Sequence, residues 1–207
     1  MAGIGKYKAI ISDMGGVIVK YSSPTLIEDL FKQAEKNEDI DKIIADFELG
    51  HKDVKEIAKF VSLIENEELK KEISTLLQGL ASSISSSDDA VVAAFKKLKG
   101  AGFKMALLTN IGWTDESKTK TMIHIDTTYF DVIVESCKIA MRKPYSDIYK
   151  YTLSQLGLQP EECIFIDDLK TNCVGAEQLG MKAIQVVRGD TETALKELES
   201  LTGVSLF

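Results

Sequence analysis

Two histidines, three cysteines and a single tryptophan are all that this 207-residue chain has of three residue types that often build metal or aromatic sites. Cys137, Cys163 and Cys173 are odd in number, widely spaced and free of any CxxC pattern. They form no thiolate metal pattern and fit reduced thiols in a cytosolic protein, one or two of them buried as small hydrophobes. His51 and His124 read as surface or packing residues. A basic excess is also missing: 25 Lys and Arg against 32 Asp and Glu give a net charge of −7. A general nucleic-acid binder needs the opposite balance, whereas a small phosphorylated ligand needs only local charge. No stretch approaches the ~20 apolar residues of a membrane helix. The start, MAGIGKYKAI, has no secretory apolar region, and the end, SLF, is neither a retention nor a prenylation motif. A soluble, cytoplasmic protein with no membrane partner is expected.

What is present begins with KAIISDMGGVIVK, residues 8–20. The apolar run Ala9-Ile10-Ile11 reads as a buried strand ending on Asp13, followed at once by Gly15 and Gly16 and a second apolar run, Val17-Ile18-Val19. Open α/β sheets place their chemistry at such strand ends. Helical periodicity then takes over in four segments, 25–35, 39–47, 54–64 and 67–80, with Gly50 closing the second. The serine-rich ASSISSS, 81–87, reads as a hinge or helix N-cap. From there strands and helices alternate: a helix over 88–99, strands at 103–108, 130–135, 162–168 and 182–187, and helices over 147–156, 172–179 and 191–201. The expected architecture is α/β, a doubly wound parallel sheet with an inserted all-helical segment. Its expected boundaries are 1–19 for the first part of the core, 20–85 for the insertion and 86–207 for the rest. Trp113, in the polar loop 110–121, is expected to cover the core.

Right-handed crossovers put every strand's carboxyl end on one edge of such a sheet. Asp13, Thr109 with Asn110, and Asp167 with Asp168 all fall there, and the loop carrying Lys143 can reach it. Three carboxylates in one cleft repel one another unless a cation joins them, and all-oxygen ligation suits Mg²⁺. With Lys143 close by, the site is built for a dianionic phosphoryl group, for which Thr109 and Asn110 supply donors.

Four motifs, DMGGV at 13–17, LLTN at 107–110, RKP at 142–144 and FIDD at 165–168, stand in the order and on the strands of the haloacid dehalogenase (HAD) superfamily, which the chain resembles over nearly its whole length. The run from Glu135 to Asn172 and the tail TALKELESLTG are similar to the amino-terminal phosphatase domain of soluble epoxide hydrolase and to the related domain of some acyl-CoA dehydrogenase family proteins. Ending at Phe207, the chain is expected to carry neither partner module. The resemblance implies a Rossmann-like core with residues 20–85 as a cap. It implies Asp13 as a nucleophile that forms an aspartyl-phosphate, and Mg²⁺ held by Asp13, the carbonyl of Gly15 and Asp168, with Asp167 as an outer or alternative ligand. Thr109 and Asn110 would bind phosphoryl oxygens and Lys143 would neutralise charge. Gly16 fits the tight turn, and Asn172 braces the metal loop.

One position departs from the family pattern. Two residues after the nucleophile, where most HAD phosphatases carry a second Asp as general acid, this chain has Gly15. General acid catalysis contributes ~10²–10⁴-fold, so slow turnover of alkyl phosphates is expected, with better activity on aryl, acyl or anomeric phosphates. The cap, and Asp115 and Glu116 in the loop after Asn110, are candidate sources of a replacement acid, and Gly15→Asp is expected to raise activity on alkyl phosphates. Three readings follow: a Mg²⁺-dependent phosphomonoester hydrolase acting on a small phosphorylated substrate, an impaired domain that binds a phosphorylated ligand or a protein partner, and a metal-independent dehalogenase-type hydrolase.

Overall fold

A computed structural model of the protein describes residues 5–25, 36–62, 64, 67–68, 70–71, 74, 84–123 and 125–207. In chain order its elements are β1 (Ala9–Ser12), β2 (Val19–Tyr21), α1 (Glu38–Glu48), α2 (Val54–Ser62), β3 (Ile84–Ser87), α3 (Asp89–Gly100), β4 (Lys104–Thr109), β5 (Val132–Glu135), α4 (Ser136–Ile139), α5 (Ser146–Leu156), β6 (Cys163–Asp167), α6 (Lys170–Glu177), β7 (Lys182–Gln185) and α7 (Thr191–Thr202). Five strands form one parallel sheet in the order β5-β4-β1-β6-β7. Nearly every residue of β1, β4 and β6 is buried, as expected of strands covered on both faces.

The period of two sorts these strands onto two cores. Ile10, Met105, Leu107, Ile164 and Ile166 face one layer with Phe95 and Leu98 of α3 and Leu195 and Leu198 of α7. Ile11, Ala106, Leu108 and Phe165 face the other with Tyr149 and Leu153 of α5 and Ala176 of α6. The doubly wound α/β sheet is therefore present, with the central strand β1 between β4 and β6. This order brings the ends of β1, β4 and β6 side by side, with Ser12 paired to Leu107 on one flank and Ile166 on the other.

All three cysteines are free and buried. Trp113 packs against the first core layer, as a cover for it. Among the described residues no helix is long and apolar enough to cross a membrane.

Between β2 and β3 the described residues are helical where a helix is recorded. Asn37 caps α1 through Asp39 N and Ile40 N, and Asp53 caps α2 in a reciprocal arrangement with Glu56. Most of the helix expected over 25–35 lies outside the described residues, as do His124 and residues 81–83. In the helix expected over 67–80, residues 67, 68, 70, 71 and 74 are helical and the rest lie outside.

The serine-rich run departs from its expected form. Residues 84–87 are a strand, β3, paired antiparallel to β2 with Val19 opposite Ser87 and Tyr21 opposite Ile84. Backbone pairing with the chain's outgoing strand replaces the apolar alternation that would have marked a strand. Asp88 is the residue that caps the next helix: it accepts from Ala90 N at 3.0 Å while its other oxygen meets Thr191 at 2.8 Å and Lys20 at 3.2 Å.

Candidate active site

Asp13 leaves the end of β1 with its N–H bonded to the Ile166 carbonyl at 2.8 Å, so its position is fixed by the strand next door. Its Oδ1 accepts from Met14 N at 2.7 Å. The chain then turns back on itself, Gly16 N–H donating to the Val19 carbonyl at 2.9 Å. Gly16 has φ +66°, and a Cβ there would collide with the Asp168 carboxylate. Both facts require glycine. The turn thus lets Asp168, on the loop after β6, close against the Asp13 loop.

The ammonium of Lys143 is buried among three oxygens: Asp13 Oδ1 at 3.0 Å, Asp167 Oδ2 at 2.7 Å and the Leu108 carbonyl at 3.0 Å. Burial alone would lower its pKa, but Asp13 and Asp167 outweigh that and raise it, keeping the lysine charged. Asp167 is held in turn by Leu169 N and Asn172 Nδ2 at its Oδ1, both at 2.9 Å. Its oxygens therefore serve to orient Lys143 and the loop into α6. Asn110 uses its side chain on the Lys143 loop, accepting from Lys143 N at 2.9 Å and donating to Lys143 O at 3.0 Å. Thr109, at the end of β4, is buried beside it.

Asp13, Asp167 and Asp168 bring carboxylate oxygens to within 4.8 Å of one another. Burial pushes the Asp13 carboxyl up to about 6, with Asp167 adding to the rise and Lys143 opposing it, and burial with the other two carboxylates raises Asp168 as well. One lysine does not balance three carboxylates. A hard divalent cation with oxygen ligands fits this donor set.

The hydrogen bonds recorded for the candidate acids after Asn110 do not reach the site. Asp115 closes its own loop, accepting from Thr119 N, Thr119 Oγ1 and Lys120 N at 2.6–3.3 Å, and the Thr119 hydrogen bonds hold its pKa down despite a small opposing burial cost. Glu116 points to solvent.

Two groups not picked out in the sequence do face the site. Glu48, at the end of α1, is buried with Arg142 Nε at 2.8 Å and Asn110 Nδ2 at 3.3 Å, and burial lifts its carboxyl to about 7 against the pull of Arg142. It extends the apolar stripe of α1 one turn beyond Ile44, a position where a carboxylate is a signal. Arg142 also reaches Asp41 at 3.3 Å, and together these residues line a cleft between α1 and the Lys143 loop. The second group is Tyr21. Burial, and after it the charges of Asp168, Asp13, Asp167 and Glu48, push its phenol well above the ordinary value. A Cβ on Gly15 would collide with the Tyr21 hydroxyl, so a side chain at 15 requires the tyrosine to shift. No local pattern could have shown that approach.

Comparison with known proteins bears on the family and the fold. Residues 7–180 match the family model of haloacid dehalogenase-like hydrolases. The chain is 41% identical over 115 residues to bifunctional epoxide hydrolase 2 of Sus scrofa, covering 53% of this chain and 20% of that protein. It is 31% identical over 116 residues to the sesquiterpene phosphatase astK of Aspergillus oryzae, covering 56% of this chain and 58% of that one. The chain thus spans about a fifth of the first and over half of the second. A crystal structure of a HAD family enzyme from Bacteroides thetaiotaomicron, in complex with magnesium and inorganic phosphate, superposes with TM-score 0.61 at 22% identity, over 88% of this chain and 96% of that one. With the family model spanning most of its length and the sheet, loops and acidic edge in place, the chain belongs to the haloacid dehalogenase-like hydrolases.

Proposed function

We propose that the protein is a Mg²⁺-dependent phosphomonoester hydrolase that works through an aspartyl-phosphate on Asp13. The observation that carries this is the buried Lys143 ammonium, 3.0 Å from Asp13 and 2.7 Å from Asp167, at the edge where three carboxylates converge. A nucleophile that attacks a dianion needs a cation on its flank to lower the repulsion, and Lys143 is placed to supply it. Asp13, Asp168 and the carbonyl of Gly15 would hold Mg²⁺, which supplies charge neutralisation between carboxylate and phosphoryl group. Asp167 serves as the brace of Lys143, and Asn172 as the brace of Asp167.

In the first displacement a carboxylate oxygen of Asp13 bonds to phosphorus as the ester oxygen leaves. In the second, water takes the place of Asp13 and phosphate departs. The Thr109 hydroxyl and the backbone N–H of Asn110 bind the phosphoryl oxygens, while the Asn110 side chain fixes Lys143 by its two hydrogen bonds. Residues 20–85 act as a cap on the β2–β3 ribbon, and Glu48 and Arg142 join the cap to the core beside the cleft. The phosphatase among the relatives and the magnesium and phosphate in the Bacteroides enzyme support the same substrate class.

A metal-free dehalogenase would need no cation-demanding cluster, and the three convergent carboxylates favour the phosphatase. The test is phosphate release from a panel of phosphomonoesters with and without Mg²⁺, in the wild type and Asp13→Asn. Release that needs both Mg²⁺ and Asp13 is expected. Release that survives Asp13→Asn would sink the mechanism.

A further inference from the structure

Gly15 stands where a HAD phosphatase ordinarily keeps its acid, and the structure gives the glycine a reason. Its φ is not among the positive values of this chain, so the backbone does not require it. Space does: a Cβ built there would lie against Tyr21 Oη, well inside the 3.0 Å that real Cβ atoms essentially never breach, and 3.2 Å from Tyr21 Cζ. The hydroxyl therefore occupies the volume in which a side chain at 15 would begin. Tyr21 is brought there by two constraints. β2 is pinned to β3, with Tyr21 opposite Ile84, and Gly15 forms a bridge to Val19, two residues before the tyrosine.

The geometry points to Tyr21 as a catalytic residue whose hydroxyl, in the space that Gly15 leaves open, gives its proton to the oxygen of the departing alcohol. This rests on the phosphatase reading above. As an Asp13 oxygen bonds to phosphorus and the P–O bond to the alcohol breaks, the electron pair of that bond passes to the alcohol oxygen, which takes the proton of Tyr21 Oη. In the second displacement water attacks phosphorus, the bond to Asp13 breaks with its electrons returning to the carboxylate, and the proton of water passes to the Tyr21 phenolate. Each half-reaction restores what the other consumed. A phenol is a weaker acid than a carboxyl, and the proton it gives matters most to the most basic leaving oxygen.

A signature follows that a packing role would not produce. Loss of the hydroxyl should slow esters in proportion to the basicity of their leaving group. The test measures kcat and KM on alkyl, phenyl and nitrophenyl phosphates and on acetyl phosphate, for the wild type, Tyr21→Phe, Gly15→Ala and the double variant, with Asp13→Asn alongside. Tyr21→Phe is expected to lower kcat/KM, which reads the first displacement alone, on alkyl phosphates by about tenfold or more, while nitrophenyl and acetyl phosphate change less than about threefold. Gly15→Ala pushes the hydroxyl out without removing it, so it should give the same selective loss, and the double variant should lose no more than either single change. An equal loss of kcat/KM on all esters, or none on any, overturns the assignment. If the wild type shows no Asp13-dependent release from any ester, the phosphatase reading falls and Tyr21 with it. Asp13-dependent release that Tyr21→Phe leaves unselective overturns the tyrosine alone.

Discussion

Replacing Lys143 by methionine keeps an unbranched apolar stem in the place where the lysine side chain is 1% exposed and lies over the Phe165 ring. It removes the charge. Asp13 and Asp167 then stand buried beside one another, the Leu108 carbonyl loses its donor, and nothing from the side chain compensates. Breaking a buried ion pair by deleting one partner costs about 3–5 kcal/mol, because the other charge stays desolvated. Two carboxylates share this lysine, so the upper half of that range applies. For a domain of this size, ~2–4 °C of melting temperature is lost per kcal/mol, which gives a drop of roughly 8–20 °C. Calorimetry in chelated, metal-free buffer measures it directly. Phosphate release should be abolished even at temperatures where the variant is folded. A melting temperature within about 2 °C of the wild type would refute the reasoning, since no buried ammonium that holds two carboxylates can be removed so cheaply.

Other perturbations read other parts of the account. Gly16→Ala forces a side chain into φ +66° and into the Asp168 carboxylate, so it should cost at least about 1–2 kcal/mol of stability by denaturant melts. Asn172→Ala frees Asp167 Oδ1 on one side and should lower Mg²⁺ affinity or activity by roughly 10–100-fold, read by metal titration. Glu48 has a folded-state pKa of about 7 against 4.5 unfolded, so the native state binds the extra proton and stability falls as pH rises through that window. A shift of that size is worth about 3 kcal/mol, and Glu48→Gln should flatten the metal-free stability profile between those two pH values. An unchanged slope would mean that Glu48 is not desolvated as the α1 cleft requires.

The sheet is readable in the sequence because buried parallel strands are runs of apolar residues closed by polar ones. Ala9–Ser12, Lys104–Thr109 and Cys163–Asp167 fall within a residue or so of the expected strands, and their polar ends form the edge that carries the site. Ile84–Ser87 is opaque for the opposite reason: β3 is specified by its partner β2 and carries no alternation of its own. The site divides in the same way. Asp13, Lys143, Asp167 and Asp168 announce themselves as charges at strand ends, but what each one touches depends on residues tens of positions away. Asn110 reads as a phosphate donor, yet its amide is spent on Lys143, 33 residues on. Gly15 reads as a deficit that an aspartate would repair; in three dimensions it is the space into which Tyr21 fits.

The central claim is that Asp13 is a nucleophile, and the most direct measurement is on the protein itself. During turnover of a phosphomonoester with Mg²⁺, acid-quenched enzyme is digested and the peptide carrying Asp13 is weighed by mass spectrometry. The account predicts a phosphorylated Asp13 that disappears when Mg²⁺ is chelated. Steady Mg²⁺-dependent phosphate release with no phosphoryl group on Asp13, and an Asp13→Asn variant that turns over as fast, would contradict it.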